Sequence, residues 1–229
     1  MIERDSPLAY SPLEEICSKI DKAAGIADRK PSDIALIAVS KTRSGDEIRP
    51  LLESGHRLFG ENRVQEAMEK WPALKADYPD IELHMIGQLQ SNKAGEAVTL
   101  FDYIHSLDRP SLIKALAKEM KRQERHIPCF LQVNIGEEQQ KGGCDIKAVP
   151  DLLDQARSSG IEVVGLMAVP PDNANPVPYF ALLAKLAREA GLDGLSMGMS
   201  GDFEKAVKLG STHIRVGTAL FGPRTTPAG

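Results

Sequence analysis

Along the chain, short apolar runs rich in Ile, Val and Leu alternate with longer amphipathic segments. Strands buried on both faces under crossover helices produce that rhythm. The runs predict strands near 34–39, 57–59, 81–86, 102–106, 128–134, 162–169, 194–199 and 213–216. Eight parallel strands close a TIM barrel. Helices are predicted between them near 46–53, 63–75, 92–99, 111–125, 148–158, 178–190 and 202–208, with Pro50 expected to kink the first of these.

A further helix precedes the first strand, over about 11–27. Ser11-Pro12-Leu13-Glu14 carries a capping serine, a proline at the first helical position and a glutamate at the third. Leu13, Ile16, Cys17, Ile20 and Ala24 then form one apolar stripe that needs a surface to cover. No linker interrupts the alternation. Residues 170–176, rich in proline and asparagine, read as a barrel loop, and 225–229 as a flexible tail, so 1–229 is expected to be a single domain.

Composition narrows the function. The 229 residues fit one barrel of roughly 200–250 residues, and a formal charge of −4 excludes a generally basic nucleic-acid binder. Aromatics at 5% leave little for base-stacking platforms. Cys17, Cys129 and Cys144 lack the paired spacings of a zinc or redox site and read as reduced thiols. The charged start Met1-Ile2-Glu3-Arg4-Asp5 leads into no continuous apolar stretch, so no signal, no membrane span and a cytoplasmic location are expected.

In a barrel, chemistry sits at the carboxyl ends of the strands. Those ends carry Ser40-Lys41-Thr42, Gly60-Glu61-Asn62-Arg63, Gly87, Asn134, Gly198-Met199-Ser200-Gly201 and Gly217-Thr218. Ser200-Gly201 opens a predicted helix, and Gly217-Thr218 follows the neighbouring strand, the loops where barrels often hold a phosphate. The same residues also read as an N-cap and a tight-turn glycine. Lys41 is either a nucleophilic amine near the barrel axis or a snorkelling surface residue. Because Ile214 and Val216 share one face, Arg215 is expected to point inward, where it needs a structural carboxylate or a ligand. Gln132 and Asn134 are expected to point inward too. His56, His105 and His126 share no metal-ligand spacing and read as surface or capping residues, the charged run 118–125 as a solvated helix face, and Trp71 as helix packing.

Several strings then carry a likeness. They are Ala38-Val39-Ser40-Lys41-Thr42, Phe59-Gly60-Glu61-Asn62-Arg63, His84-x-Ile86-Gly87, Val133-Asn134-Ile135, Gly165-Leu166-Met167-Ala168-Val169-Pro170, Leu195-Ser196-Met197-Gly198-Met199-Ser200 and Arg215-x-Gly217-Thr218. In this order, along nearly the whole chain, they resemble the YggS/PROSC family of pyridoxal phosphate (PLP) homeostasis proteins, single-barrel relatives of the alanine racemase amino-terminal domain. The resemblance implies a fold-type III PLP barrel without the racemase's carboxyl-terminal β domain. It also implies an internal aldimine on Lys41, Asn62 near the ring's phenolic oxygen, phosphate on Ser200, Gly217 and Thr218, Arg215 facing the pyridine nitrogen, and His84 and Met199 lining the pocket. An arginine beside that nitrogen disfavours its protonation and weakens the ring as an electron sink. Leu83 and Met85, where the family often has Trp and Phe, and Pro50 depart from its pattern.

The function so implied is binding, storage or delivery of PLP without catalytic turnover, by a monomer whose partners are PLP and PLP-requiring apo-enzymes. An amino-acid racemase is the alternative, lacking here the second domain and the partner tyrosine that racemases use. A lysine Schiff-base aldolase is a more distant one, since no carboxylate base accompanies Lys41.

Overall fold

The computed structural model describes residues 12–223. Its strands are β1 (Ala35–Val39), β2 (Leu58–Glu61), β3 (Glu82–Met85), β4 (Tyr103–Leu107), β5 (Cys129–Gln132), β6 (Val163–Met167), β7 (Gly194–Met199) and β8 (His213–Val216). Each pairs in parallel with its sequence neighbour, and β1 pairs with β8, so the sheet closes into the expected barrel. The helices are α1 (Pro12–Ile26), α2 (Gly45–Glu53), α3 (Val64–Asp77), α4 (Ala94–Leu100), α5 (Pro110–Gln123), α6 (Val149–Ser158), α7 (Val177–Glu189), α8 (Phe203–Lys208) and α9 (Thr218–Phe221).

Local chemistry explains the starts and stops. Ser44 and Glu47 form a capping box at α2, each side chain accepting from the other's backbone N–H, at 3.3 and 2.8 Å. Pro50 lies inside α2, one turn before its end, so the hydrogen bond it removes falls close to the terminus. The expected Ser11 cap and the tail 225–229 lie outside the described residues.

The outer layer is the core. Outward residues such as Leu83, Met85, Ile104 and Leu131 pack under the helices in one cluster, so the two departures flanking His84 are packing positions. A second cluster joins Ile16, Ile20, Ala23 and Ala24 of α1 to Leu36, Ile214 and Val216 and to Phe203 and Val207 of α8. Ala23 is buried in the stripe where Cys17 was expected; Cys17 is exposed. At four residues α9 is too short to cover the β8–β1 seam, and α1 covers it instead.

The inner layer is polar. Ile214 and Val216 face α1 and α8, so Arg215 points inward in register with Ile37, as parity predicts. His84, His105 and Ser196 are fully buried, and the lumen also holds Phe130, whose ring stacks on His105. His105 therefore corrects the surface reading: it sits in the lumen. His126 is exposed, as expected, while His56 is partly buried and bonds the Leu58 carbonyl at 2.8 Å.

Candidate functional site

At the carboxyl mouth of the barrel lies a cavity of about 460 Å³. Lys41, Asn62, Met199, Ser200, Arg215, Gly217 and Thr218 line it together with Val39, Ile86 and Val169. Of the residues expected there, His84 alone is elsewhere. It lies in the lumen, 3.0 Å from His105 and 2.9 Å from Glu82.

Lys41 follows β1 in the turn Ser40 to Arg43, closed by an N–H to carbonyl bond of 3.0 Å between those two residues. The next residue, Thr42, has φ +62°, a left-handed conformation that strains a β-branched side chain. A clamp from α3 holds the turn. Lys70 Nζ donates to the Ser40 and Arg43 carbonyls at 2.8 and 3.0 Å, while Thr42 N donates to Glu66 Oε1 at 2.5 Å. Lys70 also pairs with Glu66 and with Glu61, at 3.1 and 2.8 Å. Glu61 Oε1 accepts from Ser40 Oγ at 2.6 Å and from Trp71 Nε1 at 3.0 Å. Burial pushes the Glu61 carboxyl up, against the opposing pull of Lys70.

Asn62 caps the cavity's second wall. Gly87 makes this possible, because a Cβ there would run into the Asn62 backbone. Asn62 Oδ1 is buried with no hydrogen-bond partner, an acceptor that a ligand donor can satisfy.

The third wall comes from β7 and β8. Gly198, the penultimate residue of β7, has φ +95°, and a Cβ there would meet the Ala206 side chain at 2.6 Å, so only glycine lets α8 approach this closely. The helix expected from 202 begins at Phe203; Asp202 instead folds its carboxylate back to accept from Met199 N at 2.6 Å. Ser200 is therefore no N-cap. Its Oγ accepts from Gly217 N at 3.3 Å, joining the turns after the two strands.

Arg215 is 4% exposed. Nη1 donates to Ser196 Oγ at 2.5 Å and Nη2 to the Ala168 carbonyl at 3.0 Å. Among the described residues no carboxylate pairs with it; its partners are a hydroxyl and a carbonyl. Burial lowers its pKa to about 10, against the charge of Asp202, so it stays cationic at neutral pH. Gln132 points inward as expected, bonding Gln88 at 2.6 Å and the Gly142 carbonyl at 3.2 Å. Asn134 does not reach the site. It braces its own loop through both Glu138 backbone groups.

Sequence reasoning missed the Glu61–Glu66–Lys70 clamp and the lumen residues behind Arg215. One signal was present: Glu66 and Lys70 stand four apart on a helix, the spacing of a paired face. Among the described residues no cluster of His, Cys, Asp and Glu can hold a metal, the three cysteines are free thiols, and no helix is long and apolar enough to cross a membrane.

The family profile described as alanine racemase, N-terminal domain, matches residues 14–225. The pyridoxal phosphate homeostasis protein of Pseudomonas aeruginosa is 37% identical over 218 residues, which cover 93% of this chain and 94% of that one. PipY of Synechococcus elongatus, solved with PLP bound, superposes with a TM-score of 0.77 at 38% identity, covering 89% of this chain and 100% of PipY. Alanine racemase of Clostridium difficile shares the fold alone, with a TM-score of 0.67 at 12% identity over 93% of this chain and 58% of the racemase. The chain belongs to the alanine racemase N-terminal domain family and, within it, to the pyridoxal phosphate homeostasis proteins.

Proposed function

We propose that this protein binds PLP in the mouth cavity and serves its homeostasis, holding and delivering the cofactor without catalytic turnover. The observation that carries the reading is the convergence on one cavity of an amine, Lys41, an orphaned buried acceptor, Asn62 Oδ1, and a buried cation, Arg215. That donor set suits PLP, which supplies an aldehyde carbon, a phenolic oxygen, a ring nitrogen and a phosphate dianion. Lys41 Nζ would be the covalent attachment point for the aldehyde carbon. Ser200, Gly217 and Thr218 take the phosphate, and Asn62 faces the phenolic side. Arg215 would stand toward the ring nitrogen, where its positive charge would disfavour that nitrogen's protonation. Met199 covers the cavity's outer rim, at 37% exposure.

Support comes from the relatives, which are named homeostasis proteins rather than enzymes, and from PipY, solved with PLP. In this reading the protein acts in the cytoplasm as a monomer that passes PLP to apo-enzymes. Purified protein mixed with PLP should turn yellow, and borohydride should fix one pyridoxyl group on the peptide containing Lys41. Lys41→Ala should lose that mass; a colourless wild type with no added mass sinks the proposal. In deuterium oxide, a panel of amino acids should gain no α-deuterium. Exchange that disappears in Lys41→Ala would establish the racemase alternative.

A further inference from the structure

A chain of hydrogen bonds runs from the cavity wall to the opposite end of the barrel. Arg215 Nη1 donates to Ser196 Oγ at 2.5 Å, and that Oγ lies 2.8 Å from His105 Nδ1. His105 Nε2 lies 3.0 Å from His84 Nδ1, and His84 Nε2 lies 2.9 Å from Glu82 Oε1. Ser196, His105 and His84 are fully buried, whereas Glu82, at the amino end of β3, keeps 39% of its side chain exposed. Stacking fixes both ring planes: His105 on Phe130 at 4.3 Å and His84 on Tyr103 at 4.8 Å. His213 meets His105 edge-on and lies tilted to His84, and its Nδ1 bonds Thr212 rather than either ring.

The two ends are chemically one-way, since a guanidinium only donates and a carboxylate only accepts. Ser196 Oγ therefore accepts from Arg215, and His84 Nε2 carries a hydrogen toward Glu82. Suppose instead that His105 Nδ1 carried the hydrogen. Ser196 Oγ would then receive two donors and its own hydrogen would lack an acceptor in the chain, while His105 Nε2 and His84 Nδ1 would meet lone pair to lone pair. One arrangement satisfies every group: Ser196 O–H donates to His105 Nδ1, His105 Nε2–H to His84 Nδ1, and His84 Nε2–H to Glu82. Burial disfavours a charged His105 and agrees with this.

We propose that Ser196, His105 and His84 are positioning residues for Arg215, forming a one-directional relay that ties its guanidinium to the Glu82 carboxylate at the far end of the barrel. A carboxylate in direct contact would cancel the guanidinium's charge at the cavity. The relay leaves the countercharge three side chains away, so Arg215 is held in place while its charge and unused N–H groups remain for the ligand. In the part that concerns PLP, this rests on the reading above.

The test has a ligand-free arm and a PLP arm. In nitrogen-labelled wild-type protein without ligand, NMR should show both rings protonated at Nε2, with His105 neutral. A hydrogen on Nδ1 of His105 or of His84 overturns the relay. With PLP added, His105→Phe, which keeps the ring on Phe130, should weaken binding about tenfold, the worth of the bond between the charged Arg215 and the Ser196 that the variant leaves unanchored. It should also move the bound cofactor's absorption maximum. His105→Gln, which restores one acceptor and one donor, should return both toward wild type. Circular dichroism melts confirm folding, and Ser196→Ala replaces His105→Phe should the latter unfold. Unchanged binding and spectrum in the folded relay variant, or an equal loss in His105→Gln, overturns the positioning role. Wild-type protein with the stated tautomers but no PLP binding refutes the cofactor proposal and leaves the relay standing.

Discussion

Lys41 is only as well placed as the turn beneath it. Thr42 sits at φ +62°, and an L-residue there costs about 1–2 kcal/mol, so the turn persists because Lys70 and Glu66 grip it from α3. Replacing Lys70 by Met should destabilise the fold by about 3 kcal/mol in urea titrations, because the buried Glu61 loses its cation. Lys70→Met combined with Glu61→Gln should recover part of that loss; a double variant no more stable than the single one would show that Glu61 is not the reason. The residue scale was legible where neighbours decide it. Arg215 lies between two apolar residues and could only face inward, whereas His105 sits in a strand whose inner and outer faces carry no clear polarity difference. The clamp was hidden for another reason: which face of α3 meets the turn after β1 depends on how the helix docks, and spacing alone does not contain that.

Elements were the most readable scale. A run buried on both faces advertises itself by composition, so all eight strands lie where the apolar runs fall, with ends shifted by a residue or two where polar flanks fray. The four-residue α9 escaped because one turn has no periodicity to detect. The predicted start of α8 fell one residue early, at Asp202, whose side chain is engaged by Met199 N. Along α1, Ile20 is 5% exposed against the β8–β1 seam. Ile20→Ala should therefore lower stability by about 2–4 kcal/mol in denaturant melts. A change below half a kcal/mol would mean that α1 does not stabilise the barrel.

At the scale of the molecule, the lumen makes stability depend on pH. Burial depresses His213 to about 4 and pushes His105 down as well. Between the ordinary histidine pKa of 6.5 and about 4, the unfolded chain binds protons that the folded chain refuses, so stability falls as pH falls through that window. His213 alone accounts for a loss of up to about 3 kcal/mol. Glu61, whose carboxyl is raised, works in the opposite sense: it binds its proton more readily when folded and offsets part of the loss. Urea midpoints at successive pH values should drop below pH 6.5, and His213→Asn should flatten the curve. An unchanged slope in that variant would assign the acid sensitivity elsewhere.

The seam under α1 has an order-of-assembly consequence. The first described helix to be synthesised docks on the last strand of the barrel and on α8. During translation α1 must wait, its apolar stripe uncovered, until some two hundred residues more have emerged. Nascent chains halted before β8 should leave that stripe open to chaperones and proteases, and the barrel should become resistant in a single late step when its two ends meet.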